Sequence, residues 1–357
     1  VQDPMWEMPY AYHFDASLYG QFLRRYSEQR GVKRTEGLIE RVKVDAESGH
    51  VKSLVTQDGR TIEGDFFIDC SGIRGLLIHQ KLGTGYQDWS HWLPCDRAMA
   101  VPSERFEKTL PFTRAIAHGA GWQWRIPLQQ RVGNGHVYCS DYISDDEGTG
   151  VLLSNLDGRV VTEPRQLRFT TGKRKSFWHK NCVGLGLASG FMEPLESTSI
   201  HLVQAGLGRL IDLFPTRDFH QVDIDVYNQR THFEFDSIRD FLILHYHATE
   251  RDDTSFWREC ASMSIPDELR YRMDKFKALG HVGATAGAEL FGQSSWLAVM
   301  VGQMGLPDND VPIIEHRTAI DAEKLLDELR NLTRDAALSM RTHRRYIQRN
   351  CRAESPL

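Results

Sequence analysis

Closely spaced cysteines are missing from this sequence. The 357 residues include six cysteines, which stand apart at positions 70, 95, 139, 182, 260 and 351 without a Cys-x-x-Cys pair. Disulfide scaffolds and structural zinc sites need clustered cysteines, so we expect neither, and free thiols favour a reducing compartment. An apolar run of the roughly 20 residues that span a membrane is also missing, as is a signal-peptide pattern. We therefore expect a cytoplasmic protein without a metal site or a membrane partner.

An excess of charge of either sign is missing too. The chain carries 43 Lys and Arg against 48 Asp and Glu, which gives a net charge of −5. Non-specific nucleic acid binding requires a basic surface, so no nucleic acid partner is expected. The composition, 41% hydrophobic and 25% charged, is typical of a globular protein with one large domain or two.

One stretch predicts a buried strand over Cys182 to Leu187, then a turn, then a helix. The first N–H groups of a helix are free and lie at its positive dipole end, so the backbone of Thr198 and Ser199 is a candidate anion site. Glu196 has two open interpretations at this point. It caps the helix together with Ser197, or it is a functional carboxylate beside the anion site.

The remaining elements are predicted from caps, turns and periodicity. Asp15 caps a first helix, and strands at Leu38 to Val44, Val51 to Thr56 and Phe66 to Ile68 lead into the turn Asp69-Cys70-Ser71-Gly72. Residues 86–180 are rich in aromatics and short strands, with a predicted hairpin turn at Gly133-Asn134-Gly135. Residues 216–357 predict helices that start at Asp236 and Asp267, a helix cap within residues 251–257, and one long helix over 319–350.

Two pairs of side chains leave a choice between packing and function. Trp122 and Trp124 share one face of a strand, where ordinary sheet packing competes with a role as the wall of a channel. His245 and His247 suggest a metal site, but no third ligand stands at a supporting distance. Core or rim histidines are therefore the favoured interpretation of the second pair.

Three motifs give this chain a specific resemblance. The segment Gly-Phe-Met-Glu-Pro-Leu-Glu-Ser-Thr over residues 190–198 resembles the signature of the flavin-dependent tryptophan halogenases. The segment Trp-Gln-Trp-Arg-Ile-Pro over residues 122–127 is similar to that family's Trp-x-Trp-x-Ile-Pro motif, and residues 251–257 resemble the family as well. The motifs stand in the family's order, and the resemblance runs over most of the chain and weakens towards the C-terminus.

The resemblance implies an α/β (α+β) protein with an FAD-binding fold of the glutathione-reductase/hydroxylase type. Residues 1–85 would be the remaining part of the FAD-binding region, and 86–180 an antiparallel sheet that covers a flavin and substrate tunnel. Residues 181–215 would bind FAD and halide, and 216–357 would form a helical cap over the substrate.

The resemblance also implies site residues. Glu196 would be catalytic, and the backbone amides of Thr198 and Ser199 would bind halide. The FAD site would comprise Ser71, Gly72, Gly190, Pro194, Leu195, Ser197 and Ile200, and the tunnel Trp122, Trp124, Ile126 and Pro127. Trp296 and Glu289 would bind the substrate. The family's tyrosine pair is absent here, which favours a smaller indole or a tryptophan-containing molecule as much as free tryptophan.

The implied reaction chlorinates or brominates an electron-rich aromatic. Reduced FAD from a separate flavin reductase would react with O2 to a flavin hydroperoxide, and chloride or bromide would attack it to give hypohalous acid. A lysine would then activate that acid, with Glu196 as general base. A homodimer is compatible with this scheme.

The family's FAD fingerprint and lysine are expected upstream of Val1, because no Gly-x-Gly-x-x-Gly follows a strand here. We expect a preceding segment on the order of 100 residues or more. Three alternatives stay open: a flavin-dependent aromatic monooxygenase, a reductase-type flavoprotein, and a non-catalytic remnant that binds an indole or a partner. The intact tryptophan motif argues against the first, and the anion site beside a glutamate against the second.

Overall fold

The computed structural model describes residues 11–105, 109–283, 289–309 and 322–353, which mix helices with antiparallel and parallel strands. The helices are α1 (Ala16–Glu28), α2 (Asp145–Ser154), α3 (Ser199–Asp212), α4 (Gln221–His247), α5 (Ser255–Ser262), α6 (Asp267–Leu279), α7 (Gln293–Met304), α8 (Ala322–Ser339) and α9 (His343–Asn350). The strands are β1 (Ile39–Val44), β2 (Val51–Thr56), β3 (Thr61–Glu63), β4 (Phe67–Asp69), β5 (Tyr86–Asp88), β6 (Arg97–Glu104), β7 (Arg114–His118), β8 (Gly121–Pro127), β9 (Arg131–Tyr138), β10 (Arg165–Arg168), β11 (Gly172–Arg174), β12 (Trp178–His179), β13 (Cys182–Gly184) and β14 (Gly190–Phe191). The predicted α/β class is confirmed. None of the helices in the described ranges is both long and apolar enough to cross a bilayer.

The largest sheet has the strand order β10-β6-β9-β8-β7, and its neighbours are antiparallel. The predicted hairpin turn at Gly133-Asn134-Gly135 is wrong, because the chain turns at residues 128–131, where the Leu128 amide donates to the Arg131 carbonyl at 2.9 Å. Gly135 lies inside β9 opposite Trp124. A Cβ at Gly135 would stand 2.0 Å from the Trp124 ring, so the glycine makes room for an indole on the next strand.

A smaller sheet of order β12-β13-β4 joins two distant parts of the chain. Strands β13 and β4 are parallel, with Gly184 opposite Asp69. The strand predicted over Cys182 to Leu187 ends earlier, at Gly184, because Gly186 has a φ of 61° and opens a short 3-10 helix. The loops after β4 and β13 therefore leave the sheet at one edge, the carboxyl end where α/β folds bind ligands.

The longest helix, α4, begins well before Asp236, where the prediction placed its start. Its first half buries Ile224 and Tyr227, but it is rich in polar residues, and the predicted start therefore fell too late in the sequence. The predicted helix from Asp267 is confirmed as α6. Before α5, the Thr254 hydroxyl accepts the Trp257 amide at 3.4 Å, which confirms the predicted cap.

The two ends of the chain give one confirmed and one wrong prediction. Asp15 caps α1, since its carboxylate accepts the amides of Ser17 and Leu18 at 2.9 and 3.3 Å. The single helix predicted over 319–350 is two helices, α8 and α9, because the Thr342 side chain accepts the Arg345 amide and starts a new helix. The start of that prediction, at 319–321, lies outside the described residues.

Candidate active site

The turn between β14 and α3 carries the candidate catalytic residue. Pro194–Glu196 form a 3-10 helix, and Ser197 follows with φ 55° and ψ 36°. This left-handed conformation is uncommon for a residue other than glycine and costs roughly 1–3 kcal/mol, and such residues cluster at functional sites. The turn is closed by the Ser197 amide, which donates to the Pro194 carbonyl at 3.0 Å.

The start of α3 presents backbone amides to an anion. Thr198 is the N-cap residue, and its side chain makes no capping hydrogen bond. The first amides of a helix have no acceptor inside the helix, and the helix dipole adds positive potential there. Thr198 is buried whereas Ser199 is exposed, so the amides lie at the boundary between the interior and the surface. The geometry therefore fits a small anion such as halide.

Glu196 does not cap α3. Its Oε1 atom lies 3.1 Å from Nε2 of His245, near the end of α4. Nδ1 of His245 donates to the Phe241 carbonyl at 2.8 Å, because a carbonyl oxygen can only accept. Nε2 then donates to Glu196 only when the ring is the imidazolium. The interpretation of Glu196 as a helix cap is thus wrong, since its carboxylate faces His245 on α4.

That cavity has a volume of about 360 Å³ and is lined by His245, Trp257, Gly302 and Gln303 among others. Trp257 is buried and stacks on Tyr246, with ring centroids 5.8 Å apart. The cavity thus combines one large aromatic side chain with several polar ones. His245 both lines the cavity and contacts Glu196, which connects the candidate catalytic carboxylate to the cavity.

The predicted tunnel residues lie in β8. Trp122 is 3% exposed, and its ring centroid is 6.1 Å from that of the half-buried Trp124. Ile126 is half-buried on the same side, and β8 ends at Pro127. The opposite side of β8 is fixed by polar contacts, since Arg125 pairs with Asp157. The two tryptophans thus share one face, as the spacing predicts.

The loop after β4 contains two residues of the predicted FAD site, Ser71 and Gly72. Asp69 accepts the amides of Ser71, Leu77 and Ile78 at 2.9, 2.8 and 2.9 Å, so its carboxylate orders this loop. The Ser71 hydroxyl accepts the Leu76 amide at 2.7 Å and belongs to the same local network. Gly72 has a φ of 80° with open space around its Cβ position.

The buried Arg174 joins the loops after β4 and β13. Its Nε donates to the Ala188 carbonyl at 2.9 Å, and its NH2 group donates to the Ile73 carbonyl at 2.8 Å. No sequence pattern identified this residue, because its partners are distant along the chain. Three apolar side chains on these loops and at the start of α3 are exposed: Ile73, Leu187 and Ile200 are 47%, 43% and 41% exposed.

The other predicted FAD residues differ in how far they are buried: one is packed inside a sheet, two are half-buried and two are exposed. Gly190 is buried in β14, where a Cβ would stand 2.6 Å from the Gly172 carbonyl oxygen, so close strand packing requires it. Pro194 and Leu195 are half-buried, and Ser197 and Ile200 are exposed at the start of α3. Pro194, Leu195, Ser197 and Ile200 lie in one continuous segment that runs from the end of β14 into the first turn of α3.

The predicted substrate residues Trp296 and Glu289 are close together, but both already contact Arg272. Arg272 forms a two-point ion pair with Glu289, at 3.0 and 3.2 Å, and its guanidinium lies 4.2 Å above the Trp296 ring centroid. Trp296 is 1% exposed and packs on Phe241 at 4.9 Å between centroids. The Glu289 charge is thus neutralised inside the protein.

His245 and His247 do not share a ligand. His247 Nδ1 lies 3.3 Å from the Cys260 carbonyl, whereas His245 faces Glu196. Over the ranges that the structure describes, no group of three or more His, Cys, Asp or Glu side chains is placed to hold a metal ion.

Known proteins resemble this chain over nearly its whole length. The family model for tryptophan halogenase matches residues 1–319. The tryptophan 6-halogenase SttH of Streptomyces toxytricini is 38% identical over 275 residues, which are 76% of this chain and 52% of that protein. A flavin-dependent halogenase from Xanthomonas campestris is 49% identical with a TM-score of 0.96, over 100% of this chain and 72% of that chain. BrvH, a flavin-dependent halogenase from Brevundimonas sp. BAL3, is 42% identical with a TM-score of 0.90, over 94% of this chain and 68% of that chain.

The chain spans about half the length of several of the curated relatives it matches. The family match nevertheless includes the turn with Glu196, the tryptophan strand β8 and the cavity beside His245. This chain belongs to the tryptophan halogenase family.

Proposed function

We propose that this chain acts in a halogenase that uses reduced FAD to chlorinate or brominate an electron-rich aromatic, an indole or a tryptophan-containing molecule. One observation carries the proposal. The Glu196 carboxylate lies 3.1 Å from His245, which lines a cavity together with Trp257, and Glu196 precedes the N-cap residue of α3 by two positions. An anion site, a carboxylate and an aromatic pocket are the three parts that such a reaction needs.

The described residues fit the flavin on two grounds. The loop with Ser71 and Gly72 and the loop that leads to Gly190 emerge at the carboxyl ends of β4 and β13, and Arg174 holds these two loops together. Exposed apolar side chains on these loops and at Ile200 suit a large planar ring system. When bound, the reduced flavin supplies, with O2, the oxidising equivalent that turns a halide into an electrophilic halogen.

Each predicted site residue has a defined task in this proposal. The amides of Thr198 and Ser199 hold chloride or bromide at the positive end of α3. Glu196 orients the electrophilic halogen, in the form of hypohalous acid, and accepts the proton that the aromatic ring loses on substitution. Its proximity to His245 connects the carboxylate to the cavity.

The tryptophan strand separates the two compartments. Trp122, Trp124, Ile126 and Pro127 form a largely buried wall next to the turn that carries Glu196. Such a wall excludes bulk water and keeps a reactive halogen species from hydrolysis and side reactions.

The ion pair between Glu289 and Arg272 affects which class of substrate the site would accept. The Glu289 carboxylate is already matched by Arg272, so a free ammonium group gains little from it. We therefore propose indole-type substrates, or tryptophan inside a larger molecule, above free tryptophan. A separate flavin reductase supplies the reduced flavin in this scheme, and a homodimer is compatible with it.

The test supplies the purified protein with a flavin reductase, NADH, FAD, O2 and chloride or bromide, together with a panel of indoles. We expect mass spectra with the isotope pattern of a halogenated product. Glu196→Gln should lower kcat by about 10²-fold or more and keep the Kd for FAD. The control is Glu268→Gln on the exposed face of α6, which should have full activity.

The same assay separates the alternatives. A hydroxylated product that forms equally well without halide would establish a monooxygenase instead. Full activity of Glu196→Gln would refute the role of that residue. Tight indole binding without any turnover would support a binding protein.

A further inference from the structure

Glu193 is an acid that the proposed reaction does not use. It is fully buried and stands immediately before the 3-10 turn that ends at Glu196. A buried carboxyl group is unfavourable unless its oxygens have partners, so its presence there requires a reason.

The carboxyl group of Glu193 has neighbours on two different elements. Oε2 accepts the hydroxyl of Tyr246 at 2.9 Å, from α4. Trp122 in β8 is the other neighbour of Glu193, and the indole N–H favours the carboxylate form without making a hydrogen bond. Within the described part of the chain, Glu193 Oε1 and Trp122 Nε1 are buried and lack hydrogen-bond partners. An acceptor and a donor on two neighbouring side chains are thus both unsatisfied.

The surroundings of Glu193 are otherwise nearly free of charge. Burial raises its pKa to about 7, and the Tyr246 hydroxyl, the Trp122 indole and His245 oppose that rise. The other titratable groups that face it are neutral thiols, because burial raises the pKa of both: Cys95 and Cys260. The electrostatic environment of this carboxyl group is therefore set by few neighbours.

We propose that Glu193 is a positioning residue, whose two carboxyl oxygens hold the Trp122 indole and the Tyr246 phenol against the turn that carries Glu196. The ionised carboxylate accepts from both donors at once. A proton on Oε1 removes the acceptor that is free for the indole and so releases Trp122. Because Tyr246 adjoins His245 in α4, the same contact also sets the position of the histidine that faces Glu196.

The link itself can be tested without turnover. The full-length protein is labelled with ¹⁵N at its tryptophan indoles, and the Trp122 resonance is the one lost in Trp122→Phe. We expect that resonance to shift with pH, with a midpoint near 7, and to be independent of pH in Glu193→Gln. The Trp124 resonance, assigned through Trp124→Phe, is the internal control and should stay constant. A Trp122 resonance that does not titrate, or that titrates equally in Glu193→Gln, overturns the proposal.

The consequence for the reaction rests on the proposed function and has its own assay. A soluble scavenger such as monochlorodimedone competes with the aromatic substrate for the oxidised halogen. Glu193→Gln keeps the side-chain volume but cannot accept from both donors, so we expect a several-fold larger share of halogenated scavenger at an unchanged Kd for FAD. An unchanged share means that the wall does not depend on Glu193. If the wild type halogenates nothing, the proposed function fails, while the resonance titration still decides the link.

Discussion

The buried position of Glu193 predicts how the stability of the protein depends on pH. Its pKa is raised from the ordinary 4.5 to about 7, mainly because burial disfavours the charged form. Between these two pH values the folded protein binds a proton that the unfolded chain has released. The free energy of unfolding therefore falls as the pH rises through this window, since stability falls wherever the native state binds more protons.

The size of the effect follows from the same two values. One pKa unit corresponds to about 1.4 kcal/mol. The rise from 4.5 to about 7 therefore makes the ionised folded state roughly 3 kcal/mol less stable above neutral pH than it would be without the shift. Below pH 4.5 the contribution disappears because both states are protonated. A loss of this size is a large share of the 5–15 kcal/mol that typically separates a folded domain from its unfolded chain.

Glu193→Gln isolates this contribution, because glutamine fills the same space but cannot ionise. Urea unfolding of both proteins at a series of pH values from 4.5 to 8.5 gives two stability curves. We expect their difference, wild type minus variant, to fall by roughly 3 kcal/mol across the series. Other titrating groups contribute equally to both proteins and cancel. Glu268→Gln, on the surface, should run parallel to wild type. Parallel curves for Glu193→Gln would refute a buried carboxyl group with a raised pKa.

Three further outcomes test other contacts. Gly135→Ala should destabilise the protein by about 1–3 kcal/mol in calorimetry, since its Cβ would overlap an indole ring, whereas Gly150→Ala, with nothing within 4 Å, should not destabilise it. Arg174→Met should weaken FAD binding about tenfold in a fluorescence titration, because it releases the loops after β4 and β13 that Arg174 joins. An unchanged Kd in a folded variant would contradict this role of Arg174. His245→Asn should lower kcat about tenfold or more at unchanged FAD affinity, because the catalytic carboxylate loses its partner, and wild-type turnover would exclude that role.

Local sequence rules predicted the local features well. The caps at Asp15 and Thr254 depend on a side chain and amides two or three residues away, so the sequence alone could identify them. The start of α4 and the early end of β13 could not be located, because tertiary burial decides both. Gly133-Asn134-Gly135 has the composition of a turn, but the ring of Trp124 on the paired strand requires a glycine within β9.

The candidate site shows the same division between local and distant information. The turn and the free amides of α3 follow from residues 193–199 themselves. The contacts around the site join residues that no spacing rule relates. Glu196 contacts His245, Arg174 bonds to the loops after β4 and β13, and Arg272 pairs with Glu289. The motif resemblance predicts a functional role for Glu196, whereas only the structure identified His245 as the residue that contacts it.

The order Glu-Pro-Leu-Glu explains how one short turn presents two carboxyl groups to one helix. Glu193 is the N-cap residue of the 3-10 helix Pro194–Glu196, and Glu196 is the last residue of that helix. Adjacent residues of α4, Tyr246 and His245, contact them in turn. Burial then separates their roles. Glu193 is fully enclosed and its pKa is raised, which suits a structural link, whereas Glu196 is one-third exposed, which suits the base role that we propose for it. Since Pro194 fixes the backbone between them, a change at either carboxyl group should alter the position of the other.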